Sequence, residues 1–234
     1  MNDGARQVDT AIVGGGLGGL AAAAFLARER RSVTVLERST ALGGRGATHE
    51  RAGYRLNLGP HALYRGGEGM KVLNELGVSP RGGVPDPSGG YAIARGAKHA
   101  LPGGFVSLLT TGLFGVGAKL ETARLLGSIA RIEAASLSRV TVGSFLETRI
   151  RNPDVRALVA ALLRVATYAN YPERMSAGLA VSQLQMALAK NVIYLDGGWQ
   201  TIVDALRAAA EGAGARIRTA AAVASLSREG AGWR

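Results

Sequence analysis

A glycine run, a glutamate and a glycine-glycine-arginine triplet fall within the first 45 residues at spacings suited to a phosphate-bearing ligand. In Gly14-Gly15-Gly16-Leu17-Gly18-Gly19 the frame G-x-G-x-x-G lands on Gly14, Gly16 and Gly19. In such a frame the first glycine makes a tight turn, the second lets the backbone approach a pyrophosphate, and the third lets a helix pack close to a strand. Glu37 follows Gly14 by 23 positions. A carboxylate at that distance accepts hydrogen bonds from ribose hydroxyls and repels a 2′-phosphate, which disfavours an NADP-type ligand. Each feature has a plainer reading, since glycine runs make ordinary turns and a strand often ends in a solvated acid.

The flanking elements decide between the two. Val8, Ala11, Ile12 and Val13 read as a short apolar strand of the kind buried on both faces of a parallel sheet. The alanine-rich run from Leu20 to Arg28 reads as a helix whose positive N-terminal end points at the glycine loop. Val33 to Leu36 is a second strand, and Glu37 stands at its end. Strand, loop, helix, strand and acid together predict a dinucleotide site.

Glycines alone do not separate FAD from NAD; the continuation Leu42-Gly43-Gly44-Arg45 does. A glycine pair lets the backbone cross close to a cofactor, and an arginine offers a planar fork of donors to a pyrophosphate. The pattern E-x-x-x-x-x-G-G-R after a dinucleotide fold resembles the flavoprotein superfamily of phytoene desaturases, protoporphyrinogen oxidases and flavin amine oxidases. That resemblance implies FAD as cofactor. It also implies a cofactor-binding set of Gly14, Gly16, Leu17, Gly18, Gly19, Glu37, Arg38, Gly44, Arg45, Gly59, Pro60, His61 and Val223. Gly59-Pro60-His61 resembles a family turn near the flavin ring or its ribityl chain; His61 could bond a flavin carbonyl or serve only local hydrogen bonds. Val223 matches a position that meets the adenine through its backbone, and a plain strand residue explains it as well. Ser39 stands where many relatives carry a basic residue, so no phosphate contact is assigned to it.

With 234 residues the chain can bury roughly 70 to 75% of its unfolded surface, enough for one large or two small domains. The absence of cysteine excludes disulfides, thiolate zinc sites, thiol catalysis and a cysteine-linked flavin within this chain. His49, His61 and His99 lack ligand spacing, so no metal site is expected. No Ser-His-Asp set or paired-carboxylate site stands out, and no catalytic base is nominated. The net charge of +11 comes from scattered arginines without interleaved aromatic residues, which argues against nucleic acid. No signal peptide is visible, which fits a cytoplasmic protein. Ala100 to Ala118 is long and uncharged, but its glycines and proline make it a poor spanning helix. It reads as a packed helix or pocket lid, or as a membrane-surface contact for taking up a greasy substrate.

The expected fold class is α/β: a Rossmann-type FAD-binding domain with a parallel sheet, interrupted by a mostly helical insertion. Its parts are expected at 1–83 and 196–234, with the substrate-binding insertion at 84–195. The first part contains an edge strand within Thr48 to Leu58 and a helix from Glu68 to Leu76 capped by Gly77. Turns from Gly82 to Gly90 cross out of it to a hairpin over Tyr91 to Leu101. Helical periodicity then runs to Lys190, where Tyr168, Tyr171 and Met186 are either core or pocket lining. Asp196-Gly197-Gly198-Trp199 turns into a helix with Ile202, Val203 and Leu206 on one face, followed by strands at Arg216 to Thr219 and Val223 to Ser227. A return strand begins at Trp233, and relatives continue beyond it, so the chain reads as a fragment or as half of a two-chain protein. The leading functional reading is hydride removal from a small lipophilic, isoprenoid-like substrate. The alternatives are a flavin amine oxidase or protoporphyrinogen-oxidase-like enzyme, and a noncatalytic flavin-binding piece.

Overall fold

The structure, a computed structural model, describes residues 7–86, 90–230 and 232–233. Residues 87–89 of the expected crossing and Arg234 of the expected return strand lie outside the described residues.

The chain divides into two compact units, Met1–Val84 with Val192–Arg234, and Pro85–Asn191. The first begins with β1 (Thr10–Val13), α1 (Leu17–Arg28) and β2 (Val33–Leu36). The two strands run parallel, with Thr10 opposite Val33 and Val13 opposite Leu36. Burial alternates along them. Val33 and Val35 are buried, whereas Ala11 and Val13 are exposed, so the sheet is covered on one face by the described residues instead of the two expected. The covered face carries α1, whose Leu20, Ala23, Ala24 and Ala27 are all buried. Alanine suits this position because it costs no side-chain entropy and lets a second helix come close.

After a 3₁₀ turn at Gly44–Gly46 come the antiparallel hairpin β3 (Thr48–Arg51) and β4 (Tyr54–Asn57), then β5 (Leu63–Tyr64), α2 (Glu68–Glu75) and β6 (Gly82–Gly83). Tyr54, Leu56 and Leu58 are exposed. Gly77 takes a φ of 74° one residue past the α2 cap, a left-handed conformation that glycine adopts without a Cβ clash.

The second unit starts with the hairpin β7 (Tyr91–Ala94) and β8 (Ala97–Ala100). Its helices are α3 (Phe105–Thr110), α4 (Val116–Ile129), α5 (Val142–Arg149), α6 (Pro153–Thr167) and α7 (Ala177–Lys190). The apolar stretch from Ala100 to Ala118 is thus split between α3 and the start of α4, and no helix among the described residues is long and apolar enough to cross a membrane. The Asn152 side chain caps α6 by accepting from Asp154 N–H and Val155 N–H, with Pro153 in the first turn. Val155, Val159 and Leu163 of α6 pack with Phe145, Ile150 and Val181 in a core separate from that of the first unit. Tyr168 and Tyr171 are exposed and belong to no core, and Met186 is half-buried.

The chain re-enters the first unit at β9 (Val192–Leu195), which pairs antiparallel with both β5 and β6. The insertion therefore ends before 192 and not at 195, because β9 joins two strands from the first part of the chain. From there α8 (Gln200–Gly212) buries Ile202, Val203, Leu206 and Ala210 against α1 and the sheet. Burying each such branched side chain contributes about 1.5–3 kcal/mol before entropy is counted. Finally β10 (Arg216–Arg218) pairs in parallel with the free side of β2, giving the order β1-β2-β10.

Val223 to Ser227 does not form the expected strand. Ala220 N–H and Ala221 N–H still bond to Ser39 O and Glu37 O, but Ala220 has a φ of 51° and the chain leaves the edge of β2. No strand among the described residues lies there to pair with it. The terminal hairpin is shorter and later than expected: β11 (Arg228–Glu229) with β12 (Gly232–Trp233).

The start of α8 is capped by the β3–β4 hairpin. Trp199 N–H donates to Asn57 Oδ1 at 3.1 Å, Gln200 N–H donates to Thr48 Oγ1 at 3.1 Å, and the Thr48 hydroxyl donates to Asn57 Oδ1 at 2.7 Å. Two orphan helix donors are thus satisfied by residues more than 140 positions away. Asn57→Ala is expected to cost about 1–2 kcal/mol. Chemical denaturation against the exposed Tyr54→Ala, expected within about 0.5 kcal/mol of the parent, checks this.

Candidate dinucleotide site

The loop between β1 and α1 turns at Gly14, whose φ is 105° and whose N–H donates to Leu36 O at 2.8 Å. A side chain at that φ would be strained, so glycine is required there. Gly19 is required for a different reason: a Cβ at Gly19 would overlap the Gly14 carbonyl oxygen. This is the close packing of helix on strand that the third glycine of the frame permits. By contrast, a Cβ at Gly14 or Gly18 would meet nothing within 4 Å, and one at Gly16 would meet only Gly43 O at 3.8 Å. Open space lies above this part of the loop.

That space faces the start of α1. Gly16 is the N-cap residue and offers no side-chain bond, and the first turn holds no acidic residue. The first N–H groups of a twelve-residue helix, with its dipole behind them, are therefore left for an anion.

Glu37 is held against the loop. Its Oε2 accepts from Gly15 N–H at 2.7 Å and its Oε1 accepts from Ser39 N–H at 2.8 Å. The Ser39 N–H, with that of Gly15 behind it, pulls the carboxyl below the ordinary glutamate value, so the group is a fixed anion at neutral pH. An ionised carboxylate has about four acceptor sites, so about two remain for hydroxyl donors. Gly15, outside the expected set, is thus the residue that aims Glu37. Its place between two framed glycines is the only sequence signal that it has a role.

The glycine pair lies beside the same loop. Gly43 N–H donates to Gly15 O at 2.8 Å, and Gly16 and Gly43 form an isolated parallel bridge. A Cβ on Gly44 would stand 4.0 Å from Gly16 Cα. Arg45 follows, exposed, in the 3₁₀ turn, and its carbonyl oxygen lies where a Cβ on Gly59 would be. The Gly59-Pro60-His61 turn is thereby set beside Arg45, with Pro60 half-buried and His61 exposed. Leu17 packs its side chain against Gly46. Arg38 is exposed next to Glu37, and half-buried Val223 follows two residues after the Ala221 N–H bond to Glu37 O. Backbone and side-chain contacts thus join the Gly14–Gly19 loop, Glu37, Gly43 to Arg45 and Gly59 into one wall of the first unit, while Arg38, Pro60, His61 and Val223 are near it only through their sequence neighbours. The wall presents helix-end donors and an arginine, groups of the type that take phosphate, and a carboxylate of the type that takes ribose hydroxyls. An ADP-containing dinucleotide fits that sequence of groups.

Comparison with known proteins agrees. The NAD(P)-binding Rossmann-like domain family matches residues 12–76. A Mycobacterium tuberculosis protein assigned as a flavin-containing monoamine oxidase is 30% identical over 251 aligned positions, covering 96% of this chain and 52% of its own length. A phytoene desaturase of Neurospora crassa is 41% identical over 75 positions, which cover 32% of this chain and 13% of that protein. A putrescine oxidase solved with putrescine superposes with a TM-score of 0.69 at 23% identity, covering 97% of this chain and 54% of the oxidase. The chain spans about half the length of the relatives it matches end to end. In its loop, its acid and its glycine pair the chain is similar to flavin-dependent oxidoreductases that include a flavin amine oxidase and a phytoene desaturase, and its first unit carries the Rossmann-like dinucleotide-binding fold.

Proposed function

We propose that the chain binds FAD along the wall built by Gly14–Gly19, Glu37 and Gly44–Arg45, and acts as part of an FAD-dependent oxidoreductase. The observation that carries this reading is the Glu37 carboxylate clamped on Gly15 N–H at 2.7 Å, directly beside uncapped helix donors. The clamped anion receives the adenosine ribose and repels a 2′-phosphate, the helix end and Arg45 receive the pyrophosphate, and the Gly59–His61 turn extends the wall past Arg45. Bound there, FAD would supply the two-electron acceptor needed to oxidise a C–H bond to C=C or C=N. The helical unit, Pro85–Asn191, is the proposed substrate-binding part.

The substrate reading is a small lipophilic molecule, supported by the apolar stretch from Ala100 to Ala118 and the few aromatic residues, 5% of the chain. An amine is the second reading, favoured by the monoamine oxidase match along 96% of the chain. Titrating the purified chain with FAD and with NADPH separates the cofactors: FAD is expected to bind with quenched flavin fluorescence and NADPH to bind far more weakly. Equal affinity for the two would overturn the assignment. In the complete protein, anaerobic bleaching of the flavin by an isoprenoid supports the first substrate reading, and bleaching by an amine the second.

A further inference from the structure

A cavity of about 680 Å³ opens in the first unit between α8 and the chain that leaves α2. Its floor is apolar: Leu76 and Val78, on either side of the left-handed Gly77, line it together with Ile202, Ala205 and Ala209 of α8. Ala205 and Ala209 are about one turn apart, and two such short side chains leave a hollow that larger ones would fill. Val203, two residues before Ala205 and so on the far side of the helix, is the residue that approaches the glycine pair: a Cβ on Gly43 would stand 3.1 Å from its Cγ2. The cavity and the dinucleotide wall thus lie against opposite faces of α8 and share no residue.

The rim carries one charge of each sign. Asp196 N–H donates to Arg81 O at 3.0 Å, which extends the β6–β9 ladder one step beyond the pairing of Gly82 with Leu195. Arg81 and Asp196 are therefore directly opposed, with both side chains on the same face of the ladder, an arrangement in which opposite charges ordinarily pair. They do not pair here: both are exposed, and among the described residues neither side chain makes an ion pair or a hydrogen bond. A guanidinium and a carboxylate are thus both free at the mouth of one apolar hollow. The guanidinium takes a carboxylate in its planar fork, the carboxylate takes an ammonium, and the floor takes an apolar body. A fatty acid would bring its anion to Asp196, and an apolar amine its cation to Arg81, so each leaves a like-charge contact. A molecule with ammonium and carboxylate on one carbon satisfies both. We propose that this cavity binds an α-amino acid with a large apolar side chain. The proposal does not depend on the FAD reading.

The test is isothermal titration calorimetry of the intact chain with L-phenylalanine, which is expected to bind. Phenylpropionate, which lacks the ammonium, and phenethylamine, which lacks the carboxylate, are each expected to bind about tenfold more weakly or worse. Glycine, with both charges and no apolar body, is expected to give no binding heat. Arg81→Gln and Asp196→Asn are each expected to weaken phenylalanine binding by about tenfold or more. Arg207→Gln and Glu211→Gln remove the same charges from exposed side chains of α8 that do not line the cavity, and are expected to change it by roughly twofold at most. All four positions are exposed, so thermal melting should show every variant folded. No binding of phenylalanine, equal binding of the three phenyl compounds, or unchanged affinity in Arg81→Gln and Asp196→Asn would overturn the proposal. So would losses at Arg207 and Glu211 as large as those at Arg81 and Asp196.

Discussion

Gly19→Val is expected to abolish retention of FAD through gel filtration and to lower the melting temperature, while Gly18→Ala keeps the fold. The two glycines are neighbours with opposite surroundings. A side chain at Gly19 would occupy the position of the Gly14 carbonyl oxygen, which belongs to backbone and cannot swing away. The helix must move off the strand, and overpacking of this kind costs about 1–3 kcal/mol. For a chain of this size that corresponds to a fall of roughly 2 to 12 °C. The displacement also carries the first helical N–H groups away from the pyrophosphate position, and misplaced donors lose most of their value. A Cβ at Gly18 meets nothing, and in a helix alanine is favoured over glycine by up to about 1 kcal/mol. A Gly19→Val protein that still carries stoichiometric FAD would remove the loop from the proposed site.

Glu37→Gln is expected to weaken FAD binding by roughly a hundredfold, about 3 kcal/mol. The substitution keeps the shape and removes the charge. Glutamine has one acceptor oxygen for the two N–H groups of Gly15 and Ser39, so its NH₂ must face one of them donor to donor. The side chain then turns away and takes its ribose acceptors with it. The same carboxylate gives the parent chain an acid limit. Its folded-state pKa lies below the ordinary value of 4.5, so its stabilising contribution is complete above that value and is lost as pH falls through the lowered one. Fluorescence titration should show parent affinity falling with acid below about pH 4.5, and Glu37→Gln should lack that part of the profile. Equal affinity of the two proteins at neutral pH would refute the role given to Glu37.

The dinucleotide-type fold of the first unit was legible because its signals are local. Gly14 and Gly19 state a turn and a close contact within six positions, and β2 carries its acid at its end. What escaped the sequence depended on distant partners. Glu37 is aimed by Gly15 across 22 positions, and α8 takes its cap from Thr48 and Asn57, which no local pattern announces. Val192 to Leu195 reads equally well as the end of a helical insertion until β5 and β6 are seen on its two sides. Val223 to Ser227 has the composition of a strand but joins no sheet among the described residues, and composition alone does not supply the neighbouring strand that a ladder needs. Burial of β1 on both faces was inferred from composition, which says which side chains are apolar and not what covers them.

The central position of β2 has a kinetic consequence. Its inner neighbour, β1, arrives 23 residues earlier, but the other, β10, pairs Arg216 with Thr34 only after the whole helical unit has been made. At about 5–20 residues per second, a nascent chain leaves that edge of β2 open for roughly 10 to 40 s. Closing so long a loop is also entropically slow, whereas the helical unit needs only contacts within itself. Arg216–Arg218 thus zips onto a strand synthesised long before. During that interval the exposed edge is where a chaperone would be needed or a stray strand would add.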